Sequence, residues 1–330
     1  MHIFTNPNYD FLRWRWHAVA LSWVVIIAGV VLIYARGLPL GIEFAGGTVV
    51  IAQFEQATSV QAVRSALDRN LPGGGQNAVV QSYGDPSQRQ VMVRVPQVGA
   101  ESGASLSSAA KAVEDALKKG SLGAFKVVGT EIVGPAVGQE LTQKGIWAFV
   151  ASLAGILAYI AFRFQFSFAV GAVVATIHDI LVTLAFLAFF GYDMTLNVIA
   201  AILTVTGYST NDTIVIFDRV RENMRFMRRD SLHEIINKSI NQTLGRTVIT
   251  AGTALFSAIA LFLFGGEVLR GFAFTMIVGI ITGTYSSVFV AAAIVTFWRR
   301  KRARVVAEVA PAVGPKAQRR SKSQGKAKAS

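Results

Sequence analysis

Long apolar stretches separated by short polar joints run through most of this chain. Six of them, near residues 17–34, 145–162, 167–188, 197–217, 247–264 and 272–298, approach the roughly 20 residues needed to cross a hydrocarbon core about 30 Å thick. They predict a polytopic α-helical membrane protein with six transmembrane helices. The first run follows Arg13 and Arg15. At about 18 residues it is longer than the apolar part of a secretory signal, so it reads as an uncleaved anchor.

Between the first two runs the period changes. Residues 48–54, 78–83, 90–95 and 125–133 alternate or are β-branched, as strands require, while 59–70 and 105–119 carry apolar residues at helical spacing. The order βαββαβ predicts a ferredoxin-like α+β domain over 35–142. That fold hosts many functions and decides none. After the fourth run, Ser231, Leu232, His233 and Glu234 form a capping box ahead of Ile235, Ile236 and Ile240. They predict a cytoplasmic amphipathic helix near 230–244, lying along the membrane surface or docking a partner.

Charge sets the orientation. Residues 299–330 hold eleven Lys/Arg against Glu308 alone, and 218–246 hold seven Lys/Arg against four acids, so both belong in the cytoplasm. The 35–142 segment is balanced at nine basic and nine acidic residues and belongs outside. The chain thus divides into a cytoplasmic N-terminus with the first helix (1–34), the extracytoplasmic domain (35–142), a five-helix bundle (143–298) and a basic disordered cytoplasmic tail (299–330). Of the net charge of +13, the tail supplies eleven minus one, or +10, so the excess reads as a topology anchor drawn to anionic lipid and implies no specific nucleic acid. With no cysteine in the chain, no disulfide supports the outer domain. No internal repeat is visible, so a pseudo-symmetric other half must come from another chain.

The candidate chemistry lies inside the apolar runs, where ionisable residues are costly and mark functional sites. Asp212 stands in the fourth run among Ser209, Thr210, Asn211 and Thr213, with Gly207 permitting a local helix break. His178 and Asp179 sit midway along the third run, and Arg246 opens the fifth. Low dielectric favours a neutral carboxyl, and a nearby guanidinium favours the ion. A proton exchanged on Asp212 for contact with Arg246 would therefore switch the packing of two helices. The transmembrane potential supplies about 2.3 kcal/mol per charge per 100 mV for such a step. The plainer reading keeps these groups as helix-pairing contacts, with Arg246 snorkelling to the interface and His178 merely packed. Gly279 and Gly283 carry GxxxG spacing and read as close helix packing. Gly41, Gly46 and Gly47 precede a strand and read as tight turns; Gly134, Pro135 and Gly138 read as a linker turn or a hinge. Phosphate loops, GxGxxG, HExxH and the GxGD element of intramembrane aspartyl proteases are all missing, which implies no nucleotide, metal or other cofactor and no catalytic centre.

The ordered segments GIEFAGGT (41–48), VGPAVGQEL (133–141), the HD pair at 178–179, GYSTNDTIVIFDRVREN (207–223) and NQTLGRT (241–247) resemble the SecF proteins of the SecD/SecF protein-export family, related to the resistance-nodulation-division superfamily. The resemblance covers roughly residues 8–300. It implies a multi-pass bacterial inner-membrane subunit with both termini cytoplasmic. Such a subunit works with a SecD-like partner and the SecYEG channel, using the proton gradient to promote export of a translocating polypeptide. It also implies that Asp212 and Arg246, and less directly Asp179, form the proton pathway. Two positions depart from the family pattern: Glu43 stands where Asp is usual, and Gly245 where Ser is expected. The alternative is half of a proton-driven small-molecule or lipid exporter of the same superfamily, which a single outer domain of this size disfavours. A passive assembly factor is the third reading.

Overall fold

The computed structural model describes residues 7–37, 40–71, 75, 78–95, 103–163 and 166–297. The basic tail beyond 297 lies outside them. Helix α1 (Arg15–Arg36) follows a short 3-10 turn at Phe11–Trp14 and ends at Gly37, whose φ of +77° suits a residue without a side chain. A one-turn helix α2 (Ile42–Ala45) then leads into β1 (Gly47–Phe54), α3 (Val60–Asn70), β2 (Val79–Tyr83), β3 (Gln90–Val95), α4 (Gly103–Lys119) and β4 (Phe125–Val133). Every strand and long helix expected here from the sequence forms, with ends shifted by two residues at most. The four strands lie in the order β2-β3-β1-β4, all antiparallel, with a bulge between Ile51 and Ala52.

Strand alternation divides the sheet's two faces. Val50, Ala52, Phe54, Val91 and Val93 turn toward Val63, Leu67, Val113 and Leu117 of α3 and α4, closing a core of their own. Val49, Ile51, Met92 and Arg94 turn the other way, toward Tyr192 and Asp193 in a joint between two long helices and toward Arg270 within another. There Arg94 pairs with Asp193 and donates to the Leu40 carbonyl at 2.8 Å, while the Gly41 N–H donates to the Met194 carbonyl at 2.8 Å.

Five long helices follow: α5 (Pro135–Arg163), α6 (Phe166–Phe190), α7 (Leu196–Phe226), α8 (Leu232–Phe264) and α9 (Gly266–Ser286), the last continuing through a π turn at Ser287–Ala291. Among the described residues, five segments are long and apolar enough to cross a membrane: Phe11–Arg36, Val137–Arg163, Phe166–Phe190, Leu232–Phe264 and Val268–Phe297. Helix α7 carries the fourth expected span. Its 31 residues, about 46 Å at 1.5 Å per residue, suffice in length, but its polar residues keep it from being counted with the five.

The bundle differs from the sequence expectation in three places. The amphipathic stretch near 230–244 is no separate surface helix but the first turns of α8, which runs unbroken for 33 residues. Its apolar face is buried because Ile235, Ile236 and Ile240 pack against Phe217 and Val220 of α7 and against Leu12. Helix α7 likewise continues nine residues past Phe217 and shows no break at Gly207, since ionic residues at a helix end remain compatible with helix once the end leaves the apolar layer. The expected linker turn at Gly134, Pro135 and Gly138 shrinks to Gly134 alone. Proline is favoured at a first helical position, so α5 starts at Pro135 directly after β4, and Gly138 falls inside the helix. A Cβ at Gly138 would stand 3.0 Å from the Phe44 carbonyl, so this glycine lets α5 pack on α2. Gly46 and Gly47, at φ +69° and +117°, make the turn from α2 into β1.

Candidate functional site

Helices α6, α7 and α9 meet along small residues. A Cβ at Gly279 would lie 2.3 Å from Val205 Cγ1 and one at Gly283 2.7 Å from Ser209 Cβ, so the GxxxG spacing does bring α9 hard against α7. Polar side chains gather in the seam this creates, most of them hydroxyls, which satisfy themselves on helix carbonyls when no other partner is present.

Asp179, 2% exposed, is the centre of one group. Its Oδ2 accepts from Ser209 and from Ser286 at 2.8 Å, and its Oδ1 lies 2.9 Å from His178 Nδ1. The His178 ring stacks on Tyr285 with centroids 6.3 Å apart, and Tyr285 donates to the Ala18 carbonyl of α1 at 2.6 Å. The His178 Nε2 is buried without a hydrogen-bond partner among the described residues.

Asp212 centres the second group. It lies sixteen residues from the start of α7 and fourteen from its end, near the middle of that helix. Thr247 of α8 donates to its Oδ1 at 2.6 Å, whereas Oδ2 is buried and unbonded among the described residues. Next to it Thr213 Oγ1 and Ser287 Oγ lie 2.8 Å apart. Thr176 and Thr210, 3.5 Å apart at their hydroxyls, extend the polar seam between α6 and α7.

Of the residues singled out in the sequence, the structure thus gathers Asp179, His178, Ser209, Thr213 and Asp212 into one polar core. Ser209 serves Asp179 rather than Asp212. Asn211 is not part of it: it is exposed and lines a surface concavity with Gly155, Tyr159 and Gly207. Arg246 also points elsewhere. It is exposed beside Asp218, Arg219 and Glu222, and none of the ion pairs among the described residues involves it. One residue along a helix is a rotation of about 100°, and it is Thr247 that faces Asp212. The sequence carried that signal: Ile236, Ile240, Thr243 and Thr247 follow one another at spacings of four, three and four and are all buried. Sequence reasoning also missed Ser286 and Ser287, a polar doublet inside an apolar run, and Tyr285 beside them.

Two family models match the chain. One describes the C-terminal part of the SecD/SecF protein export membrane proteins and matches residues 112–301; the other describes the SecD/SecF GG motif and matches residues 31–58. The protein translocase subunit SecF of Desulfurispirillum indicum is 42% identical over 292 residues, which cover 88% of this chain and 91% of that protein. The subunit of the same name from Escherichia coli O157:H7 is 40% identical, covering 87% and 86%. Among solved structures, SecDF from Thermus thermophilus, described as a translocon-associated membrane protein, superposes with a TM-score of 0.78 at 35% identity, covering 89% of this chain and 39% of that one. A super-membrane-facing form of SecDF gives a TM-score of 0.68 at 34% identity and covers 93% and 41%. The chain therefore spans about two fifths of the SecDF chains it resembles.

Proposed function

The chain belongs to the SecD/SecF family of protein-export membrane proteins, and from that premise we propose that it is a SecF-type subunit in which proton exchange on Asp212 assists export of polypeptides through a SecYEG channel. A SecD-like half is its partner, since the solved SecDF chains are more than twice the matched length. In this reading α7 is the sixth membrane span, with one face packed on its neighbours. The sheet domain, ferredoxin-like in its strand order, lies outside the inner membrane, over the same end of the bundle as residues 191–195. The N-terminal segment and the start of α8 lie together at the cytoplasmic end, where Tyr9 N–H donates to Asn241 Oδ1 at 2.8 Å.

The observation that carries the proposal is the half-satisfied carboxyl of Asp212. One oxygen is held by Thr247 and the other is buried with no hydrogen-bond donor among the described residues. A buried oxygen without a donor is expensive as a carboxylate and cheaper as a protonated acid. A donor or a water path arriving at Oδ2 reverses that preference, so a change in helix packing and a change in protonation drive each other. Arg246 joins the pathway only if α8 turns, and Asp179 acts through the seam it shares with α7. Exposed apolar side chains on α5, such as Trp147, Leu157 and Phe162, fit contact with lipid or the partner.

The test is reconstitution of the full chain with a SecD-like partner and the SecYEG channel in vesicles holding a secretory precursor. Release rises when a proton gradient is imposed and returns to its basal rate when the gradient is collapsed. Release indifferent to the gradient contradicts the proposal.

A further inference from the structure

Helix α9 and the π turn that continues it reach both polar groups with consecutive residues. Neighbours on a helix point about 100° apart. Ser286 therefore turns to α6, where it donates to Asp179 Oδ2, while Ser287 turns to α7, where it lies 2.8 Å from Thr213 Oγ1. Both serines are 0% exposed. Ser287 also opens the π turn at Ser287–Ala291, a rare geometry that frequently accompanies functional sites.

The hydroxyl of Ser287 is a surplus donor. The Gly283 carbonyl it reaches at 2.9 Å is also approached by the Ser287 backbone N–H and, at 3.1 Å, by the Ser286 hydroxyl. A carbonyl has two lone pairs, so one of these donors can leave without orphaning it. Close by stands the Asp212 carboxyl, within side-chain hydrogen-bonding reach of Ser287 and with its Oδ2 holding no settled bond among the described residues.

We propose that Ser287 is a positioning residue for Asp212: its hydroxyl rotates from Thr213 and the Gly283 carbonyl to Asp212 Oδ2 when that carboxyl is ionised, while Ser286 keeps Asp179 tied to α9. Only a torsion changes, and the hydroxyl keeps its proton. The charge on Asp212 is thereby felt by α9 and, through Ser286, by α6. The other groups around Asp212 are Tyr208 on its own helix and Thr247 on α8; Arg246 points outward, and His178 and Asp179 belong to the adjoining group. The inference rests on the reading of Asp212 as the proton-exchanging acid.

The test uses the full chain with its SecD-like partner in vesicles. Proton flux is measured together with the infrared band of the Asp212 carboxyl, identified by its loss in Asp212→Asn. Ser287→Ala lowers flux by about tenfold, the effect of one hydrogen bond to a charged group, and alters the band's dependence on pH. Ser287→Thr, which keeps the hydroxyl, restores both. An unchanged melting temperature in Ser287→Ala separates this from lost packing, and Ser286→Ala leaves the Asp212 band in place. A wild-type band that responds to pH, with the same band and flux in Ser287→Ala, overturns the role of Ser287 alone. A wild-type band indifferent to pH overturns the reading of Asp212 and this inference with it.

Discussion

At the scale of single residues, the behaviour of the polar core turns on which hydroxyls reach which carboxyl oxygen. Asp179 is fully provided for, with donors from α7 and α9 and an imidazole beside it. Among the described residues Asp212 has a bonded donor at one oxygen, Oδ1, and none at the other. Thr247→Val keeps the shape and removes that donor. Losing a hydrogen bond to a charged group costs roughly 1.5–3 kcal/mol, so proton-driven export falls about tenfold or more while the protein still assembles with its partner. Precursor release from vesicles checks this, and an unaltered rate contradicts it. The acids themselves were legible in the sequence because an ionisable residue in an apolar run stands out. Their partners were less so: hydroxyls satisfy themselves on helix carbonyls, as Thr176 and Thr206 do here, so serine and threonine in a membrane segment give no sign of which ones serve an acid.

At the scale of elements, the seam between α7 and α9 depends on two glycines. Gly279→Ala places a methyl 2.3 Å from Val205 Cγ1, and overpacking of that kind costs about 1–3 kcal/mol. The predicted result is a lower unfolding midpoint in detergent, whereas Gly252→Ala, on α8 with nothing within 4 Å, leaves the midpoint in place or raises it. Equal midpoints for the two variants contradict the packing account. The GxxxG spacing pointed to this contact in advance. Helix lengths were harder to read, because hydropathy marks the apolar layer and helix continues beyond it. Helices α7 and α8 run past the predicted span ends at Phe217 and Thr247 with charged and capping residues, and their packed extensions bury Val220, Asn223, Ile236 and Ser239.

At the scale of the whole molecule, polar contacts join the sheet domain to the bundle beside the packing of α2 on α5. Arg94 pairs with Asp193 and holds the Leu40 carbonyl, and the Gly41 N–H holds Met194. Arg94→Met removes the first two. Hydrogen exchange then rises about tenfold at residues 40–41 and 193–194, with the strands unaffected because their core is closed by α3 and α4. Exchange that rises across the entire sheet contradicts this. The domain's strand pattern was readable because β residues alternate with a period of two, but its docking was not. A contact between residues 99 positions apart leaves no local trace in the sequence.

Proton uptake and release by the Asp212 carboxyl during export is the step on which the proposed function depends. The most direct measurement compares Asp212→Asn with wild type in vesicles carrying the SecD-like partner and the SecYEG channel, recording proton flux and precursor release together under one imposed gradient. Both are expected to fall to the level seen without a gradient, with the complex still assembled. Wild-type flux and release in the Asn variant would contradict the proposed function.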